Sequence, residues 1–110
     1  MMMMKIINLT PHNIVINDGT VFPPSGTVAR VATTQVPDGV ANGVPIMKQT
    51  YGDIVDLPAP NPDTIYIVSA LVLSAAKAVG RYDCVAPNTA SSDCVRNDAG
   101  QIISVPGFVR

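Results

Sequence analysis

Catalysis at a protein surface needs a nucleophile, a base or a metal at workable spacing, and this chain is poor in all three. Its only histidine, His12, follows Pro11 in "INLTPH", in a tight joint between two apolar runs. A serine or cysteine nucleophile would have to use that imidazole as its base. His12 therefore has two readings: the acid or base of a small hydrolase or lyase, or a hydrogen-bonded turn residue that lines an interface or ligand. Carboxylate pairs are thin, with Asp53 and Asp56 three apart among Gly and Pro and Asp93 and Asp98 flanking a turn. No HExxH, P-loop or GxSxG pattern occurs. Cys84 and Cys94 form no CxxC or Cys/His cluster, so no metal site and no cofactor is expected, and both read as reduced thiols acting as small apolar residues.

Residues suited to binding are better represented. Arg81 stands one position past Gly80, at the end of an expected helix where the dipole favours a cation, and it either grips an anion or pairs with Asp83. Arg96 stands beside Asn97 and Asp98, as an anion ligand or a solvated turn charge. Arg30 falls between Ala29 and Val31, an odd place for a guanidinium unless it meets an acid, an interface or a ligand. Asn88 and Thr89 offer donors and acceptors on a loop, to a ligand or to the backbone. Tyr82 and Phe108, two of five aromatics, either stack on a base or pack in the core. Ser69 reads as a helix cap; the amides freed there either bind an anion or face water or a loop.

The elements that must position these groups are mostly strands in the first half. Lys5–Leu9 and Asn13–Asn17 have strand patterning, "NDGT" at 17–20 is a turn signal, and "PPSG" punctuates before a strand at 27–33. "PDGVANG", 37–43, reads as a loop, followed by weaker strands in "VPIMKQT" and "DIVDLP" broken at Tyr51 and Gly52. After the Pro-rich connector at 57–64, "TIYIVS" runs without a turn residue into "ALVLSAAKAVG", a helix capped by Ser69 and stopped at Gly80. "RNDAGQ" then centres a hairpin between 94–96 and 101–105, after a disordered-looking "ASS". The expected fold class is α+β: one domain over 1–110, a small antiparallel sheet with one main helix in the C-terminal half. Residues 5–57 would be mostly β, 64–80 strand then helix, and 81–110 loop and hairpin.

Composition adds constraints on partners. The 110 residues are 47% hydrophobic but only 14% charged, against about 25% in a typical soluble domain. The expected helix carries one charge, Lys77, and is apolar all round, so a second copy of the chain is expected to cover it. The other reading is a monomer whose Pro, Thr, Ser and Asn residues make a hydrated, uncharged surface. A net charge of −1 argues against coating DNA or RNA, while two or three converging arginines suffice for a compact phosphate ligand. The longest apolar run, "IYIVSALVLSAAKAVG", has 16 residues and is interrupted by Ser and Lys, below the ~20 that cross a bilayer. "MMMMK" lacks the apolar stretch and cleavage site of a secretory leader, so a cytoplasmic location is expected.

The order "INLTPH", "TIYIVS" running into a helix, "GRYD", "VRNDAGQII" and a terminal "GF" resembles a family of small phage and prophage proteins, the first-described type of Thoeris anti-defence proteins. The similarity spans nearly the whole chain and rests on short motifs, none of them a catalytic signature. The resemblance implies a homo-oligomer in the cytoplasm of a host bacterium. It also implies a sponge, which binds the cyclic ADP-ribose signal of TIR enzymes, or in some relatives cyclic oligonucleotides, and holds it unchanged. Sequestration needs no base, nucleophile or metal, in keeping with the residues above. It needs a pocket with cations for the pyrophosphate and a flat residue for adenine, which a chain this small makes most easily between two copies. Two other classes remain open: a virion structural or assembly protein, and a nucleotide hydrolase or lyase using His12.

Overall fold

A computed structural model describes residues Met4–Arg110; the earlier part of the methionine run read above as no leader lies outside the described residues. The hydrophobic run "TIYIVS" becomes β6 (Thr64–Ile67), one of the two inner strands of a four-stranded sheet that also contains β1 (Lys5–Asn8), β7 (Cys84–Pro87) and β10 (Phe108–Val109), in the order β1-β6-β7-β10. Tyr66, Ile67 and Val68 are all buried, which is why this stretch is apolar throughout and does not alternate. The chain leaves β6, turns at Ser69 into helix α1 (Ala70–Ala78), and Gly80, at φ +81°, releases it toward β7.

That helical crossover sets the strand directions. β7 returns beside β6 running the same way, and β1 is also parallel to β6, with Lys5 opposite Thr64 and Asn8 opposite Ile67. Only β10 runs antiparallel, against β7. The expectation of an antiparallel sheet is therefore corrected for the central layer: a tight hairpin can join only antiparallel neighbours, and here a helix makes the connection. The mixed α+β class with one short helix holds. Two small antiparallel ribbons flank the sheet: β2 (Ile14–Val15) with β3 (Val21–Phe22), and β8 (Val95–Arg96) with β9 (Ile102–Ser104). Their turns fall at the "NDGT" and "RNDAGQ" signals, with Gly19 at φ +96° and Gly100 at φ +82°.

α1 lies on one face of the sheet. Val72, Leu73 and Ala76 are buried in one cluster with Leu9, Tyr66, Val68, Cys84 and Ala86, and Ala76 is fully enclosed. Leu71 and the C-cap residue Val79 are exposed, so within one chain the helix is buried on one face and not all round.

The largest departure from expectation lies between 30 and 55. The region read as loop and broken strands is a two-stranded hairpin, β4 (Arg30–Ala41) and β5 (Val44–Val55), each of 12 residues. Asn42 at φ 52° and Gly43 at φ +80° make its two-residue turn, the geometry that Asn-Gly adopts readily. The prolines that read as loop markers sit in strands with no third strand beside them, where a missing N–H is tolerated. Only the root packs on the core, through Val31, Ile54 and the following Leu57. The remainder projects as an arm, giving extents of 58 × 40 × 23 Å and a radius of gyration of 16.8 Å, where a compact chain of this length has roughly 13 Å.

Candidate functional site

"INLTPH" is organised by a residue whose chemistry is structural. Asn8, the last residue of β1, is 2% exposed, and its side-chain amide donates to the carbonyls of His12 and Phe22, each at 2.8 Å. Its Oδ1 accepts from the Thr10 amide at 2.9 Å and from Thr10 Oγ1 at 2.7 Å. The Asn8 carbonyl accepts from the Ser25 amide and hydroxyl. A single buried side chain thus fixes the turn and ties it to the strand after Gly19. Pro11 and His12 are carried on the outside of that turn, and the interactions above use the His12 carbonyl.

The turn forms one wall of a cleft of about 360 Å³. Leu9, Thr10 and Pro11 line one side, Val28 to Val31 at the root of the arm a second, and Ser69, Leu71 and Val72 a third. The lining is mainly apolar, and Arg30 is its one charged residue. Arg30 is exposed, and among the described residues the only ion pair is that of Arg81 with Asp83. Arg30 also borders an adjoining cleft with Gly26, Thr27 and Asp56, without a salt bridge to that carboxylate. At the helix start, Ser69 has extended backbone and its hydroxyl accepts from the Val72 amide at 3.2 Å, which leaves the Ala70 and Leu71 amides without intrahelical acceptors. The cleft therefore combines a guanidinium, the positive end of a helix dipole and an apolar floor. An anionic group attached to a flat or apolar body matches that combination.

The structure brings Arg30 and Ser69 together and places the other candidates apart. Arg81 is engaged: its Nε and one terminal nitrogen hold the Asp83 carboxylate at 3.0 and 2.9 Å, and the latter nitrogen also donates to the Pro58 carbonyl at 2.8 Å. Its cleft is a different one, with Asp53, Ile54, Leu57 and Val79. Arg96 donates to the Gly100 carbonyl across the β8–β9 turn and stays exposed. Asn88 and Thr89 donate their backbone N–H groups to the carbonyls of Gly107 and Pro87, and the Asn88 backbone carbonyl accepts from Cys94 Sγ. Tyr82 is 67% exposed and borders another cleft, of about 440 Å³, with Asp83 and Arg110. Phe108 is half-buried with its ring centre 5.7 Å from that of Phe22. His12 stands on the outer side of the turn and is not among the lining residues of the Arg30 cleft.

The Arg81–Asp83 pair has a pH signature. The guanidinium's hydrogen bonds hold the Asp83 carboxyl below its ordinary value, and the carboxylate in turn raises Arg81. A carboxyl lowered in the folded state stabilises the fold above its unfolded pKa and loses that contribution as pH falls through the folded one. The loss should therefore come below about pH 4. Asp83→Asn is expected to cost about 1–2 kcal/mol at pH 7 and to flatten the acid limb of a denaturation-midpoint profile between pH 5 and 2. Cys84 is a buried free thiol pushed up by burial, and Cys94 is also free.

Sequence reasoning missed Asn8, Thr10, Pro11, Val28 and Leu71 as parts of this region. The available signal was a polar Asn set between apolar Ile6-Ile7 and Leu9, just before Thr10-Pro11, a pattern that asks where a buried amide finds partners. Among the described residues no group of three or more His, Cys, Asp or Glu is placed to hold a metal, and no helix is long and apolar enough to cross a membrane. No family model, curated protein or solved structure matches the chain.

Proposed function

We propose that the chain is a non-catalytic binding protein that holds a phosphate-bearing nucleotide in the cleft between the Thr10–Pro11 turn, the root of the arm and the start of α1. The observation that carries this reading is the meeting of Arg30, free of any ion pair among the described residues, with the capped N-terminus of a nine-residue helix over an apolar floor. A volume of about 360 Å³ falls within the ~300–1,000 Å³ of small-molecule sites. The lining includes no carboxylate, imidazole or thiol that could move a proton, and this favours holding the ligand over converting it. Together with the resemblance to Thoeris anti-defence proteins, these features favour a cyclic ADP-ribose type signal as the ligand and its sequestration as the function. Its pyrophosphate would lie on Arg30 and the start of α1 at Ser69 and Leu71, with a ring against Pro11, Val28 and Leu71.

Calorimetric titration with cyclic ADP-ribose and with adenosine separates this reading from one that needs no ligand. Binding of the first at least tenfold tighter than the second is expected, because adenosine lacks the anion. Equal or undetectable binding of both removes the site. The projecting arm favours a second reading, that of an assembly protein that works through the arm and needs no ligand.

A further inference from the structure

Among the described residues two besides glycine hold a positive φ, Asn42 at 52° and Asp56 at 63°. Asn42 closes the two-residue turn of the arm, which accounts for it. Asp56 stands at the other end of β5, directly after Val55 and beside Arg30 in the adjoining cleft. An unfavourable backbone conformation at a residue that lines a cleft points to a use for its side chain. We propose that Asp56 selects the sugar of the bound nucleotide, its carboxylate accepting hydrogen bonds from ribose hydroxyls while Arg30 holds the phosphate. This rests on the nucleotide reading above and adds the residue that tells a nucleotide from a bare phosphate.

The positive φ changes where Asp56 stands. Arg30 pairs with Val55 across the root of the arm, so their side chains share one face. Successive strand residues alternate between faces, and a plain continuation of β5 would carry Asp56 to the other. The chain leaves the extended conformation there instead. Asp56 lines the same cleft as Arg30 and Val55, a space of about 480 Å³ completed by Gly26, Thr27 and Val28. Val28 and Arg30 belong both to this cleft and to the one between the Thr10–Pro11 turn and α1, so the guanidinium stands where the two meet.

The two sides suit different parts of a nucleotide. One offers apolar surface to a ring, and the other offers Asp56 and the Thr27 hydroxyl, groups that a sugar can bond. An ionised carboxylate only accepts, and its two oxygens match the two donors of a vicinal diol, the contact that acidic residues make with ribose in dinucleotide sites. In a nucleotide the ribose is joined to the phosphate through its 5′ carbon, so a phosphate on Arg30 brings the sugar beside it. The carboxylate is at liberty to take that role. Asp18, Asn61 and Asn97 spend side-chain oxygens on backbone amides two residues on, whereas Asp56 makes no such bond and no ion pair among the described residues. Beside a phosphate-binding guanidinium a carboxylate also repels anions, so only a ligand that brings donors next to its phosphate gains from it.

Calorimetry on the full chain with cyclic ADP-ribose and with inorganic pyrophosphate tests the assignment. Asp56→Gly adopts the positive φ without strain and should unfold within a few degrees of the parent. It should bind cyclic ADP-ribose about tenfold or more weakly, the loss of a charge-assisted hydrogen bond, yet bind pyrophosphate as tightly as the parent or more so. Arg30→Ala should weaken both. Two 2′-deoxy analogues of cyclic ADP-ribose, one for each ribose, identify the donor. One of them should bind the parent about tenfold more weakly than cyclic ADP-ribose, and Asp56→Gly should not distinguish that analogue from cyclic ADP-ribose. An Asp56→Gly protein that binds cyclic ADP-ribose like the parent, or loses pyrophosphate along with it, overturns the proposal and leaves the Arg30 site standing. So do two deoxy analogues that both bind the parent like cyclic ADP-ribose, since the carboxylate would then meet another donor. A parent that binds neither cyclic ADP-ribose nor pyrophosphate overturns this proposal and the site together.

Discussion

Asn8→Ala is expected to lower stability by about 3–5 kcal/mol, as much as truncating a large core side chain. The side chain is 2% exposed and makes four hydrogen bonds, two donated to the carbonyls of His12 and Phe22 and two accepted from Thr10. Alanine removes all four, and each partner left buried without a bond costs about 1–3 kcal/mol, less where water can enter on the exposed side near His12. For a chain near 100 residues, 1 kcal/mol corresponds to roughly 4–8 °C, so the thermal midpoint should fall by about 15 °C or more. His12→Asn, in contrast, keeps the carbonyl that the turn uses and should stay within about 0.5 kcal/mol of the parent. Thermal unfolding of the two variants beside the parent checks both. An Asn8→Ala midpoint within a few degrees of the parent would mean that the turn is not organised by this amide.

Arg30→Ala is expected to weaken nucleotide binding by about one to two decades and leave the fold unchanged. A charge-assisted contact to phosphate is worth roughly 1.5–3 kcal/mol, which converts to that range. Arg30 is exposed and outside the one ion pair among the described residues, so its removal leaves no buried partner stranded. Arg30→Lys should recover part of the loss, since an ammonium supplies charge without the planar fork. Arg81→Ala should act mainly on stability, by freeing Asp83 and the Pro58 carbonyl. If instead Arg81→Ala or Arg96→Ala abolishes binding in a folded protein while Arg30→Ala is silent, the phosphate lies in another cleft.

What was legible in the chain was local. Ser69 and Gly80 bracket the helix because a hydroxyl satisfies a freed amide at one end and positive φ is cheap for glycine at the other. "TIYIVS" reads as a strand because a residue buried on both faces must be apolar. The NDG and NDAG turns appear where expected. The arm did not show, because Pro37, Gly39 and Pro45 are loop residues in most settings and become tolerable in strands only when no third strand requires their N–H. Asn42-Gly43 was the stronger signal and was masked by those neighbours. The parallel order of β1, β6 and β7 was hidden because it depends on which strand the helix returns beside, a fact of packing. The same holds for the cleft: Thr10, Arg30 and Ser69 lie 20 and 39 residues apart along the chain and meet only through the sheet and the arm root. Arg30 was legible as an oddity, a guanidinium among apolar neighbours, though not where it would point.

The claim that the cleft holds a nucleotide without altering it is tested most directly by the fate of the ligand. Purified full-length protein is incubated with cyclic ADP-ribose, freed of unbound nucleotide by gel filtration, denatured, and the released material is identified by mass. The account predicts intact cyclic ADP-ribose retained by the parent in near-stoichiometric amount and largely lost from Arg30→Ala. Linear ADP-ribose or any other cleavage product accumulating in the parent would contradict it, and so would a parent that retains no nucleotide at all.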